Sequence, residues 1–284
     1  MIDLKTLQEL RQELKQKFLQ HNIESPEADA GLLLMHFLNL TKTQLLTQNP
    51  TVTARQEALL FQLANRRIQG EPVHYLIGSC PFLDLEFYVN SSTLIPRPET
   101  ELLVEEVARR LSGFSEPITL WDIGCGSGCI GISLAHLLDS SHVIELDISK
   151  DALQTAEKTA KKYGLQDRIC FVEHDILSGM PKDLPNPQAI VSNPPYIPHK
   201  DIASLQTEVR DFEPIMALDG GNDGLNFYRR IIAEAPLSTG GLLAFEIGYD
   251  QGPSVVALMQ DNGYQKIELL QDLSGLDRIV LGYR

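Results

Sequence analysis

The spacing of apolar residues changes twice along the chain, and these changes predict three regions. In the first seventy or so residues, apolar positions recur at helical spacing. From 73 to 94 they form short runs broken by glycine and proline, which indicates a β-hairpin. Beyond that, apolar runs typical of buried strands alternate with helical patterns. The sequence therefore predicts a helical domain over 1–72, a β-hairpin linker over 73–94 and an α/β domain over 95–284.

The helical region contains clear signals for helix starts. Ser25 precedes Pro26, which is typical of an N-cap followed by proline at the first helical position. Capping boxes are predicted at two places, where Thr41 precedes Gln44 and Thr53 precedes Gln56 by three residues. No polar cluster there suggests chemistry. We expect this domain to be structural or to hold a partner.

Four apolar runs in the third region alternate with helical segments, which predicts a doubly wound, Rossmann-like parallel sheet. In such sheets ligands bind at the carboxyl ends of the strands, so the residues after each run are candidates for a site. The four runs span residues 118–123, 143–146, 169–173 and 189–192.

The first run leads into a glycine-rich turn that opens a helix. Glycines there permit a tight turn and bring backbone N–H groups close to a ligand. Because the turn lies between a strand and a helix, it has the context of a nucleotide-binding turn. The candidate cofactor-binding residues in the turn are Gly124, Cys125, Gly126, Ser127 and Gly128.

The ends of the next two runs supply carboxylates. Asp147 lies 23 residues after Gly124, about the interval for a residue that binds ribose hydroxyls, although it could instead cap the next helix. We favour ribose binding, with Ser149 or Asp151 as the cap. Asp175 and Ile176 follow the third run and are expected at the adenine end of the crevice.

Asp122, just before the glycines, distinguishes between types of cofactor. A carboxylate at this position is unsuited to a pyrophosphate but suited to a cationic amino-acid ligand. The glycine spacing also differs from the G-x-G-x-x-G of dinucleotide sites. We therefore expect Asp122 to lie beside a cationic amino-acid ligand.

The fourth run ends in Asn193-Pro194-Pro195-Tyr196. Both prolines lack an N–H group and have a fixed φ, so the carbonyls of this segment have few local donors and can accept hydrogen bonds from a substrate amine or amide. Tyr196 adds a flat face and a hydroxyl. The alternative is a proline-rich turn that merely ends a strand.

Upstream, the Pro96-Arg97-Pro98 segment either starts a helix or lines a pocket, and local sequence does not decide between them.

Composition excludes several classes of protein. The chain has 284 residues, 24 Lys and Arg against 38 Asp and Glu, and a formal charge of −14, which argues against a broad grip on nucleic acid. Its four cysteines form no C-x-x-C pair, so neither zinc nor a disulfide framework is indicated. No 18-residue apolar run or signal sequence is present, and we expect a cytoplasmic protein without membrane contact.

The motifs together resemble the release factor glutamine methyltransferase family along essentially the whole chain. These enzymes methylate the Gln side-chain amide in the Gly-Gly-Gln motif of peptide chain release factors. Thr159 departs from the residue that relatives often have, but it lies in the helix after Asp147, away from the site. Besides the segments above, the resemblance rests on 94–101, 192–197, 213–214, 217–218, 221–225, Tyr228, 272–275 and 277–278.

The resemblance implies S-adenosylmethionine as the cofactor and release factors as the partners, with Asn193, Pro194 and Tyr196 catalytic. Asn193 also belongs to the implied cofactor site, and Asn193 to Tyr196, with Pro195, would contact the substrate. The Asn193 side-chain oxygen and the Pro194 carbonyl would accept the two amide N–H groups, while Tyr196 would pack on the amide plane or be purely structural. We expect neither a metal nor a general base.

Two alternatives stay open at this point. An amino methyltransferase acting on exocyclic base nitrogens of DNA or RNA also uses Asn-Pro-Pro-Tyr, but it needs a basic surface that this composition does not provide. A binding module that has lost catalysis is disfavoured because Asn193, Asp147 and the glycine turn are all intact.

Overall fold

The computed structural model describes residues 4–114 and 116–284. Its helices are α1 (Leu7–Gln20), α2 (Pro26–Leu38), α3 (Lys42–Thr47), α4 (Ala54–Ile68), α5 (Val73–Ile77), α6 (Pro98–Leu111), α7 (Cys129–Leu137), α8 (Lys150–Lys162), α9 (Thr207–Phe212), α10 (Asn226–Glu234) and α11 (Gly252–Asp261). Its strands are β1 (Ser79–Phe82), β2 (Leu85–Tyr88), β3 (Ile118–Ile123), β4 (Ser141–Asp147), β5 (Ile169–Glu173), β6 (Ala189–Ser192), β7 (Leu242–Glu246), β8 (Gln265–Gln271) and β9 (Asp277–Tyr283).

The chain divides into two compact units. One extends to Gly78 and also includes Gln206–Phe212; the other comprises Ser79–Leu205 and Glu213–Arg284. The short segment that contains α9 is therefore grouped with the helical unit, although both of its flanks belong to the second unit. The sequence pattern does not predict this exchange.

Three helices of the helical unit start where the sequence predicted, and side-chain capping sets two of these starts. Thr41 and Thr53 each form a capping box with the glutamine three residues later. Ser25 is the N-cap of α2, with proline in the first turn, although its side chain makes no capping hydrogen bond. The apolar faces of these helices enclose a core that includes Leu10, Phe18, Leu33 and Leu60.

A buried cation ties α9 to this unit. The side chain of Arg67, on α4, is 4% exposed, and its Nε donates to Asp29 Oδ2 at 2.6 Å. Its Nη2 donates to Glu208 on α9. Gly70 adds a close approach, since a Cβ there would lie 3.0 Å from Thr207. Because a buried guanidinium needs partners, this arrangement fixes α9 against α4.

The second unit is built on a seven-stranded sheet in the order β5-β4-β3-β6-β7-β9-β8. The first five strands in this order are parallel to their neighbours, and β9 pairs antiparallel with both β7 and β8. The strand order reverses between β3 and β6, so the crevice at their carboxyl ends is a topological switch point. This confirms the predicted doubly wound fold.

Alternating residues of each central strand contribute to two separate cores. On one face, Leu120 and Val191 pack with residues of α6, α7 and α8. On the other face, Trp121 and Ile190 pack with residues of α10 and α11. Both faces of the sheet are covered, which explains why the parallel strands form continuous apolar runs.

The hairpin is shorter than the predicted linker. Residues 73–77 form helix α5, which begins after Pro72 and ends at Gly78 in the left-handed conformation. The β-hairpin expectation for residues 73–77 is therefore wrong, because periodicity does not separate helix from strand in so short an apolar run. The hairpin consists of β1 and β2 alone, and its Phe82 and Phe87 pack in a core of the second unit.

We expect Asp29→Ala to lower the free energy of unfolding by about 3 kcal/mol, because it leaves Arg67 buried with one carboxylate fewer. Urea denaturation followed by circular dichroism measures the change. Glu27→Ala is the matched control on the same helix: Glu27 pairs with Arg11 and Lys15 but is 55% exposed, so the midpoint should barely move. Equal shifts for the two variants would contradict a special role for the buried pair.

Candidate active site

A cavity of about 420 Å³ lies at the carboxyl ends of β3, β4 and β6. Its volume is within the range of about 300–1,000 Å³ typical of small-molecule sites. Most of the predicted site residues line it. They are Gly124, Cys125, Gly126, Ser127, Asp147, Asp175, Ile176, Asn193, Pro194 and Pro195.

The glycine turn and Asp147 form one wall of the cavity. Asp147 Oδ2 accepts from the Gly126 N–H at 2.9 Å, and Oδ1 accepts from the Ser149 N–H at 2.8 Å. Gly124 and Gly126 have φ of 74° and 55°, and a Cβ on either would meet no atom within 4 Å. The turn therefore has a conformation that favours glycine and leaves room beside its backbone.

The pKa of Asp147 and the capping of the next helix by another residue are both compatible with a role for Asp147 in ligand binding. Burial raises its pKa, and the backbone N–H groups of Ser149 and Gly126 oppose that rise. Ser149 itself caps α8, since its Oγ accepts from the Ala152 N–H. The helix therefore has its own cap, as predicted, and Asp147 is not needed for that task.

Asp175 and Ile176 lie at the cavity wall after β5, next to His174 and Leu177. Asp175 Oδ1 accepts from the Leu177 N–H at 2.9 Å and so caps a short 3-10 helix. The cap fixes the direction of the Asp175 side chain, while Ile176 adds an apolar surface beside it.

The Asn193-Pro194 segment also lines the cavity, and its acceptors are not used by the described part of the protein. Asn193 Nδ2 donates to Thr100 Oγ1 at 3.3 Å. Among residues 4–114 and 116–284, none donates a hydrogen bond to Asn193 Oδ1 or to the Pro194 carbonyl oxygen. Two neighbouring acceptors at a cavity wall are thus available to a ligand with two N–H groups.

The Pro96-Arg97-Pro98 segment does both of the things that the sequence left open: Arg97 is the N-cap of α6, which begins at Pro98, and the segment also lines the cavity. Pro96 and Arg97 line the cavity, and Arg97 Nη2 lies 2.8 and 2.7 Å from the two carboxylate oxygens of the buried Glu213. Pro214, next to Glu213, also lines the cavity. The ion pair joins two segments of the cavity wall that are 116 residues apart in sequence.

The backbone of the Asn-Pro-Pro-Tyr segment is held by close contacts on its far side. A Cβ on Gly220 would lie 2.7 Å from the Pro195 carbonyl oxygen, and one on Gly224 would lie 2.2 Å from that of Tyr196. Gln251 Nε2 donates to the same Tyr196 oxygen at 2.9 Å. Glycine is therefore required at both positions by close approach of two backbones.

Two predicted site residues do not line the cavity. Gly128 is the N-cap of α7, with φ 77°, and a Cβ there would lie 2.6 Å from Ile132. Tyr196 packs against the core that contains Tyr228 and Phe245. Burial raises the pKa of Tyr196 to about 12, so its hydroxyl is neutral. This position favours the structural interpretation of Tyr196.

Asp122 does not face the cavity, and that expectation is wrong. Its side chain is fully buried, and its Oδ2 accepts from the Gly131 N–H at 2.9 Å. It lies opposite the fully buried Glu145 in the register of β3 and β4. Burial raises the pKa of Asp122 to about 7 and that of Glu145 well above its ordinary value, which favours the protonated form of the Glu145 carboxyl.

Three residues near Asn193 were not predicted as functional: Thr100, Glu246 and Gln251. Thr100 Oγ1 donates to Glu246 Oε2 at 2.6 Å, and both side chains are buried. One signal was available, because Glu246 ends a buried apolar run and so lies at the same edge of the sheet as Asn193.

The fold and the cavity define a methyltransferase domain: a doubly wound sheet with a glycine turn after β3, an Asp after β4 and Asn-Pro-Pro-Tyr after β6. The family model described as "Methyltransferase small domain" matches residues 98–210, and that described as "PrmC N-terminal domain" matches residues 9–78. The solved hMettl16 catalytic domain has the same fold, with a TM-score of 0.56 and 15% identity over 83% of this chain and 84% of that chain.

Curated relatives identify the family. The release factor glutamine methyltransferase of Moorella thermoacetica is 40% identical over 98% of this chain and 99% of its own length. That of Neisseria gonorrhoeae is 41% identical over 90% of this chain and 93% of its own length. The chain belongs to the release factor glutamine methyltransferase family. Within the described part of the chain, no helix is both long and apolar enough to cross a bilayer.

We expect Gly224→Ala to reduce turnover strongly, because the new Cβ would displace the Tyr196 carbonyl and with it the acceptors of the neighbouring Asn193 and Pro194. Initial rates of methyl transfer measure the effect. Gly263→Ala is the control, since Gly263 has a similar φ of 82° but no atom within 4 Å of the added Cβ. If both variants lose the same fraction of activity, backbone strain and not the close approach is responsible.

Proposed function

We propose that this protein transfers a methyl group from S-adenosylmethionine to the side-chain amide nitrogen of the Gly-Gly-Gln glutamine in peptide chain release factors. The observation that supports it is the pair of unused acceptors, Asn193 Oδ1 and the Pro194 carbonyl, at the cavity wall. A primary amide has two N–H groups to match them. The family membership of the chain agrees with this assignment.

The cavity residues fit the proposed cofactor. The open space beside Gly124 and Gly126 admits a ligand to the turn backbone, and Asp147 would bind the ribose hydroxyls. Asp175 and Ile176 would border the adenine. When bound, S-adenosylmethionine supplies an electrophilic methyl group on a sulfonium centre.

The task of the protein is to make an amide nitrogen reactive by position. The lone pair of an amide nitrogen is delocalised into the carbonyl, so this nitrogen is a poor nucleophile in solution. Asn193 Oδ1 and the Pro194 carbonyl would each accept one N–H and hold the nitrogen in line. Positive charge grows on the nitrogen during transfer, and both hydrogen bonds therefore strengthen toward the transition state. The surplus proton can leave to water afterwards, without a general base.

The helical unit is proposed to recognise the release factor. It lies outside the nucleotide-binding pattern, and among the described residues none of those that line the cavity belongs to it. A protein substrate can bury an interface of about 1,200–2,000 Å², and such remote contacts help to position the reacting side chain. The expected cytoplasmic location stays a prediction.

Labelled methyl transfer tests the function. We expect incorporation into intact release factor, much slower incorporation into a short Gly-Gly-Gln peptide, and none into DNA or RNA. Equal rates on peptide and release factor would remove the recognition role of the helical unit. Preferential incorporation into DNA or RNA would establish the alternative function.

Asn193→Ala should reduce turnover on release factor on the order of 10²-fold, by analogy with loss of one oxyanion-hole donor. It should change cofactor affinity much less, because the main contact is with the transferring nitrogen. Asn193→Asp retains an acceptor but places a negative charge near the substrate carbonyl, so its turnover should also fall. Single-turnover rates and calorimetry separate these effects. Near-normal turnover in both variants would exclude Asn193 from the mechanism.

Asp147→Ala should weaken S-adenosylmethionine binding by about 1.5–3 kcal/mol, the range for hydrogen bonds to charged groups. Isothermal calorimetry measures the affinity directly. Asp151→Ala, an exposed carboxylate in the first turn of α8, is the control and should leave the affinity unchanged. An unaltered affinity for Asp147→Ala would reduce its role to holding the glycine turn.

A further inference from the structure

Three buried or half-buried side chains from distant parts of the second unit form a chain of hydrogen bonds behind the cavity. Asn193 Nδ2 donates to Thr100 Oγ1 at 3.3 Å, and Thr100 Oγ1 donates to Glu246 Oε2 at 2.6 Å. Thr100 and Glu246 are 2% and 1% exposed. Asn193 follows β6, Thr100 lies on α6 and Glu246 ends β7. We call these three side chains the Asn193–Thr100–Glu246 relay.

The charge of Glu246 decides the direction of the relay. A carboxylate can only accept, so the Thr100 hydroxyl must donate its one proton to Glu246. The Thr100 oxygen can then only accept from Asn193, which must present its NH₂ group to Thr100. The Asn193 amide oxygen is thereby directed to the other side, toward the cavity.

A protonated Glu246 removes this constraint. The carboxyl could then donate to Thr100, and Thr100 could donate to Asn193, with the amide turned round. The Asn193 NH₂ group would face the cavity, where it would meet the N–H groups of a substrate amide instead of accepting from them. One proton on Glu246 thus permits an orientation in which Asn193 opposes the reaction.

We propose that Thr100 and Glu246 are positioning residues that hold the Asn193 amide oxygen toward the substrate nitrogen. The inference rests on the proposed function, because it gives a direction to the acceptor on which that function depends. Neither residue touches the substrate in this scheme. Thr100 lines the cavity, but its hydroxyl is committed to Glu246, and Glu246 lies behind it.

The groups around Glu246 define the pH at which the relay changes. Burial raises the pKa of Glu246 to about 7, against the lowering effects of the Thr100 hydrogen bond and the Arg278 charge on β9. Glu99 on α6 raises it, and the Asn193 amide, which also acts as a donor to the Glu246 carboxylate, lowers it. This second contact favours the same direction of the Asn193 amide, with its NH₂ group toward Glu246 and its oxygen away from it. Burial also raises the pKa of Tyr196 to about 12 and those of Tyr228 and Cys129 well above their ordinary values, so these three neighbours stay neutral near pH 7.

The sign of the pH dependence follows. The carboxylate form fixes the productive direction and dominates above a pH of about 7. As the pH falls through that value, the fraction of protonated Glu246 rises and kcat should fall. KM for the release factor and the affinity for S-adenosylmethionine should change little, because the relay acts on one acceptor atom.

The experiment compares full-length variants for kcat, KM and cofactor affinity. Thr100→Val removes the hydroxyl at nearly constant volume, and we expect kcat to fall on the order of 10-fold, less than for direct loss of a preorganised group. Thr100→Ser restores the hydroxyl and should recover most of the rate. Thr155→Val is the matched control, since Thr155 is also buried and accepts from an asparagine amide, that of Asn90, outside the cavity wall. Its kcat should equal that of the unaltered protein.

The pH dependence of kcat in Glu246→Gln distinguishes a positioning role of Glu246 from a merely structural one. A neutral amide can either donate or accept, so it does not fix the direction at any pH. We expect a reduced kcat that lacks the decline below about pH 7 expected of the unaltered protein. This measurement needs no Thr100 variant, so it decides the proposal even if Thr100→Val fails to fold.

The outcomes separate this inference from the function itself. Methyl transfer lost in Asn193→Ala but normal in both Thr100→Val and Glu246→Gln would overturn the relay and leave the proposed function standing. An acid limb that persists unchanged in Glu246→Gln would also overturn it. Absence of methyl transfer to release factor by the unaltered protein would instead refute the proposed function.

Discussion

The register between β3 and β6 is the constraint on which the site depends. Ile123 pairs with Ser192, and the Ser192 hydroxyl donates to the Ile123 carbonyl at 2.6 Å. Both strands therefore end at the same level, and the chain leaves them in two directions: into the glycine turn and into the Asn-Pro-Pro-Tyr segment. A shift of one residue in this pairing would turn every side chain of β6 to the opposite core. The packing of the two apolar cores therefore fixes this register and with it the geometry of the cavity.

Rigidity of the acceptor wall comes from contacts behind it. The prolines restrict φ, but they do not determine where the carbonyls of the segment lie relative to the sheet. That position is fixed by Gly220, Gly224 and Gln251, which approach the backbone of 195 and 196 from the far side. Such support favours the reaction, because acceptors that are already aligned with the growing positive charge do not have to reorganise as the methyl group is transferred.

Local features of the sequence were sufficient for the four parallel strands β3 to β6, the capping boxes of Thr41 and Thr53 and the glycine turn, because each is determined by neighbouring residues. Four of the site's strand ends could be placed in one crevice from the alternation of strands and helices alone. The direction of Asp122 could not, since it depends on the amide of Gly131 and on burial beside Glu145. The relay could not be predicted either, because Thr100 and Glu246 are 146 residues apart and meet only through the packing of α6 on the sheet.

The negative charge of the protein favours the proposed substrate over nucleic acid. The protein has a formal charge of −14, and a backbone of phosphates would have to approach it without a compensating basic stripe. Within the second unit, burial raises the pKa of Glu145 beside Asp122 and so favours its neutral form, while Glu213 is paired with Arg97. Carboxylates that border the cavity, such as Asp147, are held by backbone N–H groups. A neutral amide on a protein surface can enter such a site without meeting phosphate repulsion, and the same acidic surface can attract a basic partner. The chemistry of an Asn-Pro-Pro-Tyr segment suits both classes of substrate, so it is the strongly negative charge of the chain, and not the segment itself, that disfavours nucleic acid.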